Sequence, residues 1–114
     1  MTTLRDFIEY QKHFDSTHES RFKWDDKISD ANTGQLGFLL HGLTGEVGEC
    51  SNIMKKILRG DFTLEQVREE LTEEIVDVFI YTLKLIYQLD IDIETQYQRK
   101  MQKNKERFKK YETE

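Results

Sequence analysis

Apolar residues recur every three to four positions in four stretches of the chain, the spacing that gathers them on one face of a helix. Residues 3–14 carry Leu4, Phe7, Ile8 and Phe14 on one side. The periodicity lapses over 15–33 (DSTHESRFKWDDKISDANT), where Asp, Ser, Asn and Thr gather and predict a connection. That is longer than a common loop, which favours a functional or intersubunit role. Helical spacing returns over 34–59 through Leu36, Leu40, Leu43, Val47, Cys50, Met54 and Ile57, and Gly60-Asp61 ends it. Thr63-Leu-Glu-Gln66 has the form of a capping box. It opens a third helix that runs to about Asp90 on a stripe of Val67, Leu71, Ile75, Val78, Thr82, Leu85 and Leu89. From Ile75 onward this helix is apolar nearly all round, with Phe79, Ile80, Leu83 and Ile86 on its other faces. Such a helix is buried, and more thoroughly than one small chain achieves alone. Asp92 is placed to cap a last helix from Ile93 to about Tyr111. The pattern predicts a single all-α domain over residues 1–114, a four-helix bundle whose core is completed by oligomerisation.

Composition narrows the class. With 114 residues the chain holds one core and no more. Charged residues make up 34% and hydrophobic ones 37%, and the mean hydropathy is -0.73. That balance is too apolar for a disordered chain and too polar for a membrane protein. The start is charged from Arg5 onward, so neither a secretory signal nor a membrane partner is expected, and a cytoplasmic location follows. Cys50 stands alone, which excludes an intramolecular disulfide. Proline is absent, as suits long helices. Five glycines (Gly34, Gly37, Gly42, Gly45 and Gly48) crowd the second helix, each costing about 1 kcal/mol relative to alanine. Close approach of another helix or of a ligand is expected there.

The net charge of -5 argues against a nucleic-acid polymer as partner. Its distribution says more. Acids crowd residues 61–77, with Arg68 the lone base among them, whereas Arg99, Lys100, Lys103, Lys105, Arg107, Lys109 and Lys110 face a single acid, Glu106. One segment suits cations and the other anions, as a metal and a phosphate require.

Two short patterns carry candidate chemistry: Gly45-Glu46-Val47-Gly48-Glu49 and Glu73-Glu74-Ile75-Val76-Asp77. In each, two acids three residues apart share a helix face, with Cβ atoms about 5–6 Å apart. Two facing pairs supply four carboxylates to a hard divalent ion, and Mg2+ keeps open positions for substrate phosphate. The bland alternative is a solvated helix surface, and it holds for Glu70 and Glu73. Asp77, however, is the one charge between Ile75 and Leu83, and acids in apolar surroundings are seldom left uncompensated. No glycine-rich phosphate loop or dinucleotide fingerprint occurs, so side chains and metal must hold any phosphate. His41 lies about 140° round the helix from Glu46, and is either a base contact or a satisfied buried histidine. Trp24 or Phe22 either stacks on a base or plugs the core or an interface. His13 and His18 read as surface residues.

The runs His41-Gly-Leu-Thr-Gly-Glu46-Val-Gly-Glu49, Ile53-Met-Lys55-Lys56, Glu74-Ile-Val-Asp77-Val-Phe-Ile-Tyr81 and Lys100-Met-Gln-Lys-Asn104-Lys-Glu-Arg107-Phe108, with Tyr10-Gln11 near the start, resemble the MazG-like all-α nucleoside triphosphate pyrophosphatases. That superfamily includes dCTP pyrophosphatase and the dimeric dUTPases. The resemblance implies an Mg2+-dependent enzyme, with Mn2+ as a substitute, that cuts a (d)NTP to (d)NMP and pyrophosphate for nucleotide-pool cleaning or dNTP control. It implies Glu46, Glu49, Glu74 and Asp77 as metal ligands and catalytic acids, with Glu49 also accepting a proton from water. Lys55, Lys100, Asn104 and Arg107 would contact phosphate or sugar, and Tyr81 sugar or base. It also implies a homodimer or a homotetramer built as a dimer of dimers. Residues 15–33 depart from the family pattern. Two other classes compete. A di-iron bundle needs Glu-x-x-His, and neither Glu46 nor Glu74 has histidine at that spacing. A catalytically inactive helical nucleotide-binding or protein-interaction module is the alternative.

Overall fold

A computed structural model describes residues 2–19 and 23–113. Four α-helices make up the fold: α1 (Leu4–Ser16), α2 (Thr33–Leu58), α3 (Leu64–Gln88) and α4 (Ile93–Arg107). Short 3-10 turns occur at Asp30–Asn32 and Lys109–Tyr111. No strand occurs among the described residues, and no helix is long and apolar enough to cross a membrane.

Local chemistry sets the boundaries. Thr3 and Asp6 form a capping box at the start of α1, the Thr3 amide donating to the Asp6 carboxylate at 2.8 Å. Thr63 and Gln66 do the same for α3, with the Thr63 amide donating to Gln66 Oε1 at 2.9 Å. Gly60 follows the end of α2 at φ 84, a conformation that costs glycine little. Asp92 accepts from the Thr95 amide and opens α4 as expected. That helix closes at Arg107 rather than Tyr111, because Phe108 departs from helical geometry and a 3-10 turn takes over.

α2 and α3 run antiparallel, with Gln35 beside Gln88 and Gly42 beside Tyr81. α1 lies along α3 in the same sense, Phe7 meeting Phe79 edge-on at 5.8 Å and Asp15 reaching Lys84. Leu39, Ile53, Val67, Leu83, Ile86 and Tyr87 form the buried apolar core. This corrects the stripes read from spacing. Leu40, Val47 and Met54 of α2, Ile75 and Leu89 of α3, and Phe7 and Phe14 of α1 are all exposed. The reason is that the inward seam carries polar residues, so apolar periodicity alone points a little to one side of it.

Those polar residues form one network. The pattern puts Asp15 in the connection, whereas α1 continues through Ser16 and buries it at 1% exposure. Its carboxylate accepts from Lys84 Nζ at 2.8 Å, from the Tyr87 hydroxyl at 2.6 Å and from Gln11 Nε2 at 2.9 Å. Burial, reinforced by the bond to Asp15, pushes the Tyr87 phenol far up, so it stays a donor. Gln88 donates to the Trp24 carbonyl and accepts from Gln35 Nε2 at 2.8 Å. The Ile28 amide donates to the Gln88 carbonyl at 2.9 Å, and Lys27 Nζ spans the Tyr87 carbonyl and the Asp90 carboxylate. Residues 23–28 are thereby strapped to the end of α3. No buried side-chain nitrogen or oxygen lacks a partner among the described residues.

α4 stands apart. None of its residues is buried, and only its first turns lie near other helices, where Ile91–Glu94 border Leu4, Arg5 and Ile8. The radius of gyration, 17.5 Å, accordingly exceeds the roughly 13 Å of a compact chain of this length.

Removing one partner of a buried pair costs far more than removing both charges. Asp15→Ala is therefore expected to cost about 3–5 kcal/mol in urea unfolding, and the charge-free pair Asp15→Asn/Lys84→Met only a small fraction of that.

Candidate active site

Beyond Lys84 the same seam turns acidic. On α3, Asp77, Tyr81 and Lys84 follow at four- and three-residue steps and share one face. Across from them on α2 stand Gly42 and, one turn further, Glu46. Carboxylate oxygens of Glu46, Glu74 and Asp77 all lie within 4.8 Å of one another, and the three residues are half-buried. Like charges this close oppose each other's ionisation. The Glu74 carboxyl is pushed up, first by sharing a hydrogen bond with Glu46, then by loss of water, then by the charges of Glu46, Asp77 and Glu49. Such a cluster either shares a proton or holds a cation. Its donors are all oxygen, with no histidine or cysteine in the triad, which fits a hard divalent ion of the Mg2+ or Mn2+ kind. Glu49 is exposed and lies outside the triad, but its charge reaches Glu74.

Tyr81 borders the acids. A Cβ added to Gly42 would lie 2.5 Å from Tyr81 Cζ and 2.8 Å from its hydroxyl oxygen, so the ring occupies the space a side chain would take. Burial and the charges of Glu46 and Asp77 push the Tyr81 phenol up, keeping it protonated and able to donate. The close approach expected at five glycines occurs within the chain at Gly42; a Cβ at Gly34, Gly37, Gly45 or Gly48 would meet nothing within 4 Å. Contact between helices thus accounts for Gly42 alone and not for the crowding of glycine on α2.

The remaining candidates are placed as follows. Trp24 is half-buried, edge-on to Phe38 at 5.5 Å and beneath the Lys84 ammonium, which lies 4.3 Å from its ring centroid. Phe22 falls outside the described residues. His41 is exposed, which excludes the buried-histidine alternative. His13 and His18 are exposed as expected, His18 stacking on Phe14. Lys55 is exposed nine residues after Glu46, about 180° round α2, and faces away from the acids. Lys100, Asn104 and Arg107 lie on α4, which leaves them apart from the acids of their own chain. Arg107 packs over Phe108, and Asn104 borders a groove shared with Tyr97, Met101 and Phe108. Spacing missed the Asp15–Lys84 pair, yet its trace was visible: Lys84 is the one cation within the apolar end of α3, where a buried ammonium requires an acid.

A family model for the MazG nucleotide pyrophosphohydrolase domain matches residues 36–111. Gene 37 protein of Mycobacterium phage L5 is 42% identical over 71 residues, which are 60% of this chain and 61% of the phage protein. The chain thus spans about three fifths of that relative's length. No solved structure matches significantly.

Glu74 gives the cluster a pH signature. Its raised folded-state value favours the protonated form, so its contribution to metal-free stability is fully present below the ordinary 4.5 and is lost as pH climbs through the raised value. At neutral pH Glu74→Gln is expected to raise the melting temperature of EDTA-treated protein and to abolish most of the further rise that Mg2+ or Mn2+ produces in the unaltered chain. Calorimetry at pH 5 and 7.5 checks both signs, with the metal-induced rise larger at the higher pH.

Proposed function

The chain belongs to the MazG nucleotide pyrophosphohydrolase domain family, and from that membership we propose that it is an Mg2+-dependent enzyme hydrolysing a (d)NTP to (d)NMP and pyrophosphate. The observation that carries this reading is the Glu46–Glu74–Asp77 cluster, whose members form no ion pair among the described residues. A divalent ion bound there supplies charge neutralisation of the polyphosphate and acidifies a water. The chain's own residues do the rest. Glu46, Glu74 and Asp77 would hold the ion, and Glu49, outside that triad, would accept the proton of the attacking water. The Tyr81 hydroxyl, kept protonated, donates to sugar or base, and Trp24 and His41 face the base. The role served is nucleotide-pool cleaning or dNTP control in the cytoplasm.

Lys100, Asn104 and Arg107 bind phosphate or sugar from a second copy in a homodimer or dimer of dimers, whereas Lys55, facing away from its own chain's acids, takes no part at that site. Three observations support this. α4 buries nothing of its own, and it leaves Tyr97 62% and Met101 47% exposed. α3 leaves Ile75 54% and Val76 49% exposed, far more than an apolar helix tolerates. Charges also complement, since α4 carries Arg99, Lys100, Lys103, Lys105 and Arg107 against Glu94 and Glu106, whereas the first half of α3 is acidic.

Purified protein with Mg2+ and a panel of NTPs and dNTPs is expected to release monophosphate and pyrophosphate from one or a few of them. Diphosphate with orthophosphate would overturn the assignment, and nucleotide-dependent thermal stabilisation without turnover would favour the inactive binding module. Asp77→Asn should abolish turnover in a folded protein. Gly42→Ala should lower kcat/KM about as far as Tyr81→Ala does, because either change takes the ring from its place. Met101→Glu is expected to yield monomers in light scattering and, by separating α4 from the partner's acids, to lose activity with them.

A further inference from the structure

We infer that Asp15 and Lys84, which belong to no part of the acidic cluster, are positioning residues for the nucleoside end of the site, acting through Trp24. The inference rests on the reading that a nucleoside triphosphate binds here with its base against Trp24. On α3 the shared face runs from Asp77 through Tyr81 to Lys84, and on α2 from Glu46 through Gly42 to Phe38. Trp24 meets both far members, Phe38 by its edge and Lys84 by its ring face. It therefore lies two helical turns, about 11 Å, along the seam from the acids, a length that a nucleoside and its phosphates bridge.

Trp24 belongs to no helix, so its place is set by what grips it. Tyr87 and Gln88 hold its carbonyl, and the Lys84 ammonium holds its ring. That ammonium is aimed in turn by Asp15, 2.8 Å away on a different helix. Both members of the pair are more than nine-tenths buried, with side-chain exposures of 9% and 1%. A neutral pair of equal volume commonly gives as much stability as a buried ion pair, so what the charges supply here is direction. Asp15 orients Lys84, and Lys84 orients the indole by a desolvated cation–π contact.

Trp24 is the one tryptophan in the chain, so its emission reports its own surroundings. The test uses Asp15→Asn/Lys84→Met, which removes both charges without stranding either, and Lys84→Arg, which keeps the cation. In the charge-free pair the emission maximum is expected to shift, and KM for the preferred nucleotide to rise about tenfold with kcat little changed, the scale of a lost desolvated cation–π contact. Inhibition by inorganic tripolyphosphate, which uses the metal and phosphate end alone, should not move. Lys84→Arg should restore both emission and KM. Unchanged emission, a parallel loss of tripolyphosphate inhibition, or a fall in kcat matching the rise in KM would overturn the inference. So would an unaltered KM in Trp24→Leu, with pyrophosphate release intact and the functional reading standing. Absence of turnover, together with Trp24 emission that no nucleotide changes in the presence of Ca2+, would instead remove the functional reading and this inference with it.

Discussion

Charge inside the seam between α2 and α3 is the constraint on which the rest of the structure depends. Ionised groups withdrawn from water must be compensated, and this seam does so differently at its two ends. At the end near Gln88 the compensation is internal, with Asp15 against Lys84 and amides and hydroxyls closing every remaining valence. At the other end Glu46, Glu74 and Asp77 face one another with no ion pair to a cation among the described residues, and the Glu74 carboxyl is raised. The first end ties α1, the 23–28 strap and α3 into one body. The second leaves like charges that a shared proton or a bound cation relieves. The ordered end fixes the helices from which the three acids project, and so the spacing at which an ion would meet them.

Gly42 shows how tightly these features are linked. Tyr81 crosses α2 where a side chain is missing, and that crossing brings the two helices together one turn before Glu46 and one turn after Asp77. Burial in that crossing, and then the charges of Glu46 and Asp77, push the Tyr81 phenol up. A larger residue at position 42 would collide with the ring and push it away from the acids.

Much of this was legible in the sequence. Helix number, the capping residues Thr63 and Asp92 and the break at Gly60-Asp61 follow from local chemistry that acts within a few residues. Helical spacing puts Glu74 and Asp77 on one face of α3, but the same rule pairs Glu46 with Glu49, and Glu49 lies outside the triad that Glu46 forms with the α3 acids. The inward face was less legible. Spacing assigns Val47, Met54 and Ile75 to the core, yet polar Gln35, Asp15, Lys84 and Gln88 occupy the seam, and only their partners across sequence separations of 53 and more reveal it. Nor does spacing tell which of five glycines meets another helix, since that depends on where Tyr81 falls in three dimensions.

The exposed apolar residues of α3 and the unburied α4 belong to one physical problem. A helix with no fully buried residue gains little from packing, and propensity alone seldom sustains fifteen residues in water. The acidic opening of α3, beside exposed Ile75 and Val76, offers both the missing apolar contact and the opposite charge. Were α4 to settle there, the anion-binding side chains and the cation-binding acids would meet at one place. The polarity read along the chain, acids over 61–77 and bases over 99–110, would then be the two halves of a single phosphate site rather than two separate surfaces.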